Sequence, residues 1–156
     1  MAQALFYQLG AAPLAGLIGA LAARALAQGW AVELRGTARA RMEELDRALW
    51  LGAPDGFLAH GLAGGGATDA RQPLLLTHAR GPAANAPQAL MAIDGAAVDI
   101  AEAALLERVW VIFDGALPEA LERARAQWRE LAAAVPAQYW AEDGGRWVKK
   151  AEHRPD

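Results

Sequence analysis

Apolar positions along the chain follow two rhythms that alternate from the N-terminus onward. Leu5 to Leu9, LFYQL, is a short apolar and aromatic run of the kind a buried strand presents. In PLAGLIGALAARALAQG, Leu14, Leu17, Ile18, Leu21 and Ala25 recur at helical spacing, with Pro13 near the start and Gly29 at the stop, so a helix is predicted. WAVELRG then reads as a second strand. Thr37 stands where it would cap the next helix, ARARMEELDRALW, which places Met42, Leu45 and Leu49 on one face and Arg39, Glu43 and Arg47 on another.

The turn signal GAPDG leads into FLAHGLAGGG, a short apolar piece that dissolves into glycine. PLLLTH and ALMAID are strand candidates separated by the loop ARGPAANAPQ. RVWVIFDG is apolar on both faces, as a central strand is. LPEALERARAQWRELAAAV is the strongest helix and ends before Pro136; Leu117, Leu121, Ala124, Trp128, Leu131 and Val135 form one stripe facing the sheet. QYWAEDGGRWVKK sets a glycine pair between two aromatic runs, the pattern of a β-hairpin. The pattern predicts a three-layer, Rossmann-like α/β fold: a mostly parallel sheet, helices on both faces and an antiparallel C-terminal hairpin. Residues 1–150 read as a single domain and 151–156, AEHRPD, as a disordered tail.

Composition narrows the chemistry. The chain has 156 residues, no cysteine and a formal net charge of -3, with a pI near 5.6. It is long enough to bury a core without disulfides, lacks thiol chemistry and suits a reducing cytoplasm. His60, His78 and His153 show no ligand spacing, so no metal is expected. The acidic balance offers a polyanion no general attraction, so strong direct DNA binding is not expected. The uncharged run from Ala2 to Ala23 has no basic flank and is broken by Gln8, Gly10 and Pro13, which argues against a signal peptide or a membrane span.

GLAGGGAT, from Gly61 to Thr68, has the spacing of a phosphate-binding loop, but Ala67 takes the place of the lysine. The glycines follow a helix and a turn and lead into a strand, so no helix N-terminus is expected behind them and no nucleotide cofactor is predicted. The chain also has no serine for a nucleophile elbow. One enzymatic alternative remains: Asp94 and Asp114 each follow a strand and precede a glycine, where α/β enzymes place catalytic carboxylates and where Asp-Gly also simply makes turns.

Three stretches, FYQL, RMEELDRALW leading into GFLAHGLAG, and RVWVIFDG followed by ARAQWREL, together resemble the chi subunit of bacterial DNA polymerase III. The likeness rests on their order and spacing over nearly the whole chain. Ala59 stands where the family usually has proline, and Gly56 where it often has serine. The resemblance implies a non-catalytic accessory subunit without a cofactor. Such a subunit joins the clamp loader through the psi subunit or an equivalent, and grips the acidic, Phe-terminated C-terminal tail of single-stranded DNA-binding protein. It assigns Trp50, Phe57 and His60 to the clamp-loader contact, against plain core filling as the other reading. It assigns Arg125 in ARAQW to the tail. Helix geometry adds Arg129 beside it, with Trp128 on the neighbouring apolar stripe. In the other reading both arginines are solvated and pair with Glu122 or Glu130.

Overall fold

The computed structural model describes residues 2–52, 58–79 and 81–155. In chain order its elements are β1 (Ala4–Leu9), α1 (Leu14–Ala27), β2 (Val32–Arg35), α2 (Arg39–Trp50) and β3 (His60–Leu62). A six-residue 3-10 helix, Gly66–Arg71, separates β3 from β4 (Leu74–Thr77) and β5 (Ala89–Ala92). Then come α3 (Ile100–Leu105), β6 (Arg108–Asp114), α4 (Pro118–Ala132), β7 (Ala137–Asp143) and β8 (Arg146–His153). This is the mixed α/β fold of the sequence pattern, mostly parallel, with an antiparallel hairpin at the C-terminus.

Two compact units can be described within the chain, Met1–Ala12 with Leu90–Asp156, and Pro13–Ala89. In the first unit the strands run in the order β5-β6-β1-β7-β8. Strand β1 pairs in parallel with β6 on one side and β7 on the other, so the β6–α4–β7 connection crosses over β1, as parallel strands require. All side chains from Val109 to Phe113 are buried, which is why β6 lacks polar alternation. Helix α4 begins with Pro118 at its first turn and packs on β1, β6 and β7. Its buried stripe starts lower than expected: Ala124, Leu131 and, past the helix end, Val135 are buried, whereas Leu117 at the N-cap is 55% exposed.

Helix α3 had no counterpart in the sequence reading. It is short and is set by a capping box, in which the Asp99 side chain and Glu102 satisfy each other's backbone amides. The hairpin turn uses Gly144 and Gly145, both at positive φ (58° and 80°), which favours glycine and matches the twist of paired strands. The expected frayed tail is corrected in part: Ala151, Glu152 and His153 belong to β8, with His153 opposite Ala137. His153 Nδ1 also donates to the Ala132 carbonyl at the end of α4 (2.9 Å), so the tail has both strand pairing and a helix terminus to hold it.

In the second unit, β4 pairs in parallel with β3 and β2. Helix α1 packs on α2 and β2, and α2 on β3 and β4. Ile18 and Leu21 of α1 and Met42, Leu45 and Leu49 of α2 are buried, as their spacing predicted. Thr37 does not cap α2; the N-cap is Ala38, which makes no side-chain hydrogen bond. The buried Glu33 is fully engaged: Arg35 donates to it through Nε and Nη2, both at 3.0 Å, and Thr77 Oγ1 at 2.6 Å.

Candidate peptide-binding site

The first unit carries a hollow of about 380 Å³ lined by Gln8, Leu121, Arg125, Trp128, Tyr139 and Ala151. Its aromatic side is built across three elements. Trp128 meets Phe6 edge-on at 5.3 Å and Tyr139 at 5.9 Å, while Phe6 and Tyr139 stack at 6.3 Å. Phe6 is fully buried, whereas Trp128 and Tyr139 are only partly covered, so these two rings reach from the core into the hollow. The Tyr139 hydroxyl donates to Gln8 Oε1 at 2.6 Å, which fixes the polar rim. Burial pushes the Tyr139 phenol above its ordinary value, and the positive charge of Arg125 pulls it partly back.

Arg125 is exposed, lines the hollow, and pairs with neither Glu122 nor Glu130 among the described residues. Arg129 is also exposed and lacks such a pair, but it does not line the hollow. The arrangement sets a guanidinium beside an apolar, aromatic recess. Chemically that suits a ligand with a carboxylate next to a ring or aliphatic group.

The second unit holds another exposed feature. Trp50 and Leu51, at the end of α2, are 50% and 85% exposed. Trp50 stacks over His60 at 4.1 Å. His60 itself is buried: Nδ1 lies 2.7 Å from the Leu58 carbonyl, and Nε2 lies 3.1 Å from the Asp46 carbonyl and 3.3 Å from the Asp46 carboxylate. Its place is under Trp50, where it supports the indole. Phe57 lies outside the described residues.

The family now follows from comparison with known proteins. The sequence model of the family described as DNA polymerase III chi subunit, HolC, matches residues 1–137. The chain belongs to the DNA polymerase III chi subunit family. It is therefore a replication accessory subunit, and membership of an accessory family fits a non-catalytic role. A comparison with individually curated proteins found no match. Among the described residues no helix is long and apolar enough to cross a membrane.

Membership of the chi family bears on the two other motifs. In the glycine loop, the Gly64 and Gly65 amides donate to the Asp69 carboxylate at 2.8 and 3.0 Å. A 3-10 helix does start there, unlike the expectation, but the buried Asp69 already occupies the anion position. Asp114 accepts the Ala116 amide through Oδ1 at 2.9 Å, a turn-forming bond, and Asp94 sits at a positive φ of 54° ahead of Gly95. Both positions thus display turn chemistry. The residues that sequence reasoning missed are Gln8, Leu121, Tyr139 and Ala151. Only the proximity of three strands and a helix brings them together, and Tyr139 and Ala151 lie beyond the matched segment.

Proposed function

We propose that this chi-family subunit grips the acidic, Phe-terminated tail of single-stranded DNA-binding protein in the hollow of its first unit, with Arg125 taking the terminal carboxylate. The observation that carries this reading is the unpaired Arg125 beside the Trp128 and Tyr139 rings. A terminal Phe presents a ring and an α-carboxylate together, and these two groups need an apolar recess and a cation at its rim. Trp128 contributes ring surface; Arg129, one turn further along α4, adds field without lining the recess.

The test is titration with a synthetic tail peptide. Arg125→Ala should weaken binding roughly 10- to 150-fold, the range for losing a hydrogen bond to a charged group. Unchanged affinity in a folded Arg125→Ala protein would reject the site. Linkage to the clamp loader, through psi or an equivalent, is assigned to Trp50, supported by its exposure next to Leu51, with His60 positioning it from beneath and Phe57 nearby in sequence.

A further inference from the structure

One wall of the hollow is strand β8, which contributes Ala151. This strand ends the order β5-β6-β1-β7-β8, so its partner β7 lies on one side only. Every residue of β8 except Trp147 is exposed. Residues 146–154 carry Arg146, Lys149, Lys150 and Arg154 against a single carboxylate, Glu152, in a chain whose net charge is -3. Both lysines of the whole sequence are here. Glu152 is already committed, accepting Gln138 Nε2 at 2.8 Å and lying 3.6 Å from Lys149 Nζ. Arg146 and Lys150 have no ion-pair partner among the described residues.

The register places Lys150 next to a residue that lines the hollow. Tyr139 pairs with Ala151 and Trp140 with Lys149, so Lys150 is the extra residue of a bulge immediately before the lining Ala151. Arg146 and Arg154 lie four residues to either side, roughly 13 Å along an extended strand. An apolar recess with one guanidinium thus adjoins a cationic edge about as long as an extended peptide of eight residues.

We propose that β8 is the second half of the peptide site, a cationic rail centred on Lys150 that takes the carboxylates upstream of the ligand's terminal residue. This rests on the tail reading above, which supplies the terminal anchor. The occupant is an acidic peptide, not a nucleic acid: the rail abuts an apolar, ring-lined recess with one cation at its rim, which suits a terminal ring and carboxylate. Salt should weaken the complex, since the rail is exposed to solvent.

The experiment uses the full chain and two labelled peptides, both ending in Phe, one with a run of Asp before it and one with Asn in place of every Asp. Wild type should prefer the Asp peptide roughly five- to twentyfold at low salt, the sum of a few exposed ion pairs. Replacing Arg146, Lys150 and Arg154 together by Ala should abolish that preference and leave the Asn peptide's affinity intact. Lys150→Arg should keep the preference, and Arg125→Ala should weaken both peptides. Should the triple variant melt early, Lys150→Glu alone is the replacement, and it should reverse the preference. Retention of the Asp preference by the triple variant or by Lys150→Glu overturns the rail but spares the tail reading. Absence of saturable binding by either peptide to wild type overturns both. Saturable binding of oligothymidylate through the same cations, with no Asp preference, overturns the proposal in favour of a nucleic-acid strip.

Discussion

Tyr139 and Arg125 act on each other through space. Burial raises the phenol above the ordinary value of 10.0 and the guanidinium opposes that rise. Removing the cation leaves burial unopposed, so Tyr139 should titrate at higher pH in Arg125→Ala. The chain has two tyrosines, so phenolate absorbance in a Tyr7→Phe background reports Tyr139 alone; a lower or unmoved midpoint would separate the two groups. Because the folded pKa lies above the unfolded one, the stability from a neutral Tyr139 is complete below about pH 10 and disappears as pH rises through the folded value. His60 makes a second residue-scale case. Its ring faces two carbonyl oxygens and the Asp46 carboxylate, whose Oδ1 has no other partner. His60→Ala should cost about 1–3 kcal/mol, the penalty for leaving buried acceptors unmet, measurable by urea unfolding. A change within about 0.5 kcal/mol would mark it as a surface residue instead. The family resemblance set His60 in a binding region with core filling as the other reading, and nothing local decided between them, since Asp46 lies fourteen residues earlier, on another element.

Elements with their own periodicity or punctuation were legible. α1 shows both, with its stripe of Ile18, Leu21 and Ala25 and its stop at Gly29, whose φ is 83°. The hairpin announces itself through Gly144 and Gly145. What escaped depends on pairing with distant chain. The segment 151–153 is polar and reads as tail, yet it is held in register by β7 and by the Ala132 carbonyl. Leu117 fits the α4 stripe by spacing, but it stands at the N-cap, before the helical rotation begins, and so remains outside the core. The site divides in the same way. Arg125 and Trp128 come from one helix pattern, whereas Gln8, Tyr139 and Ala151 need the order β1-β7-β8, which no local signal encodes. Glu142 shows how that order is tied locally: its carboxylate accepts the Gly10 amide at 2.9 Å and the Ala12 amide at 3.2 Å, fixing the chain as it leaves β1.

At the scale of the whole molecule, the two candidate sites share no residue and no element. The hollow is built wholly from Met1–Ala12 with Leu90–Asp156, and the Trp50 surface wholly from Pro13–Ala89. On the proposed reading the subunit joins two partners, and sites that share no residue are expected to respond separately. Trp50→Ala should therefore weaken capture of the reconstituted clamp loader, with a melting temperature within a few degrees of wild type, because the half-exposed indole adds little to the core. It should leave tail-peptide affinity unchanged, while Arg125→Ala should do the reverse. In the double variant the two losses should add to within about 0.5 kcal/mol, as for sites with no shared partners. Measured by calorimetry against each partner in turn, a coupling well above that limit would mean that one engagement reshapes the other site. The subunit would then act as a relay between its partners and not as a passive bridge.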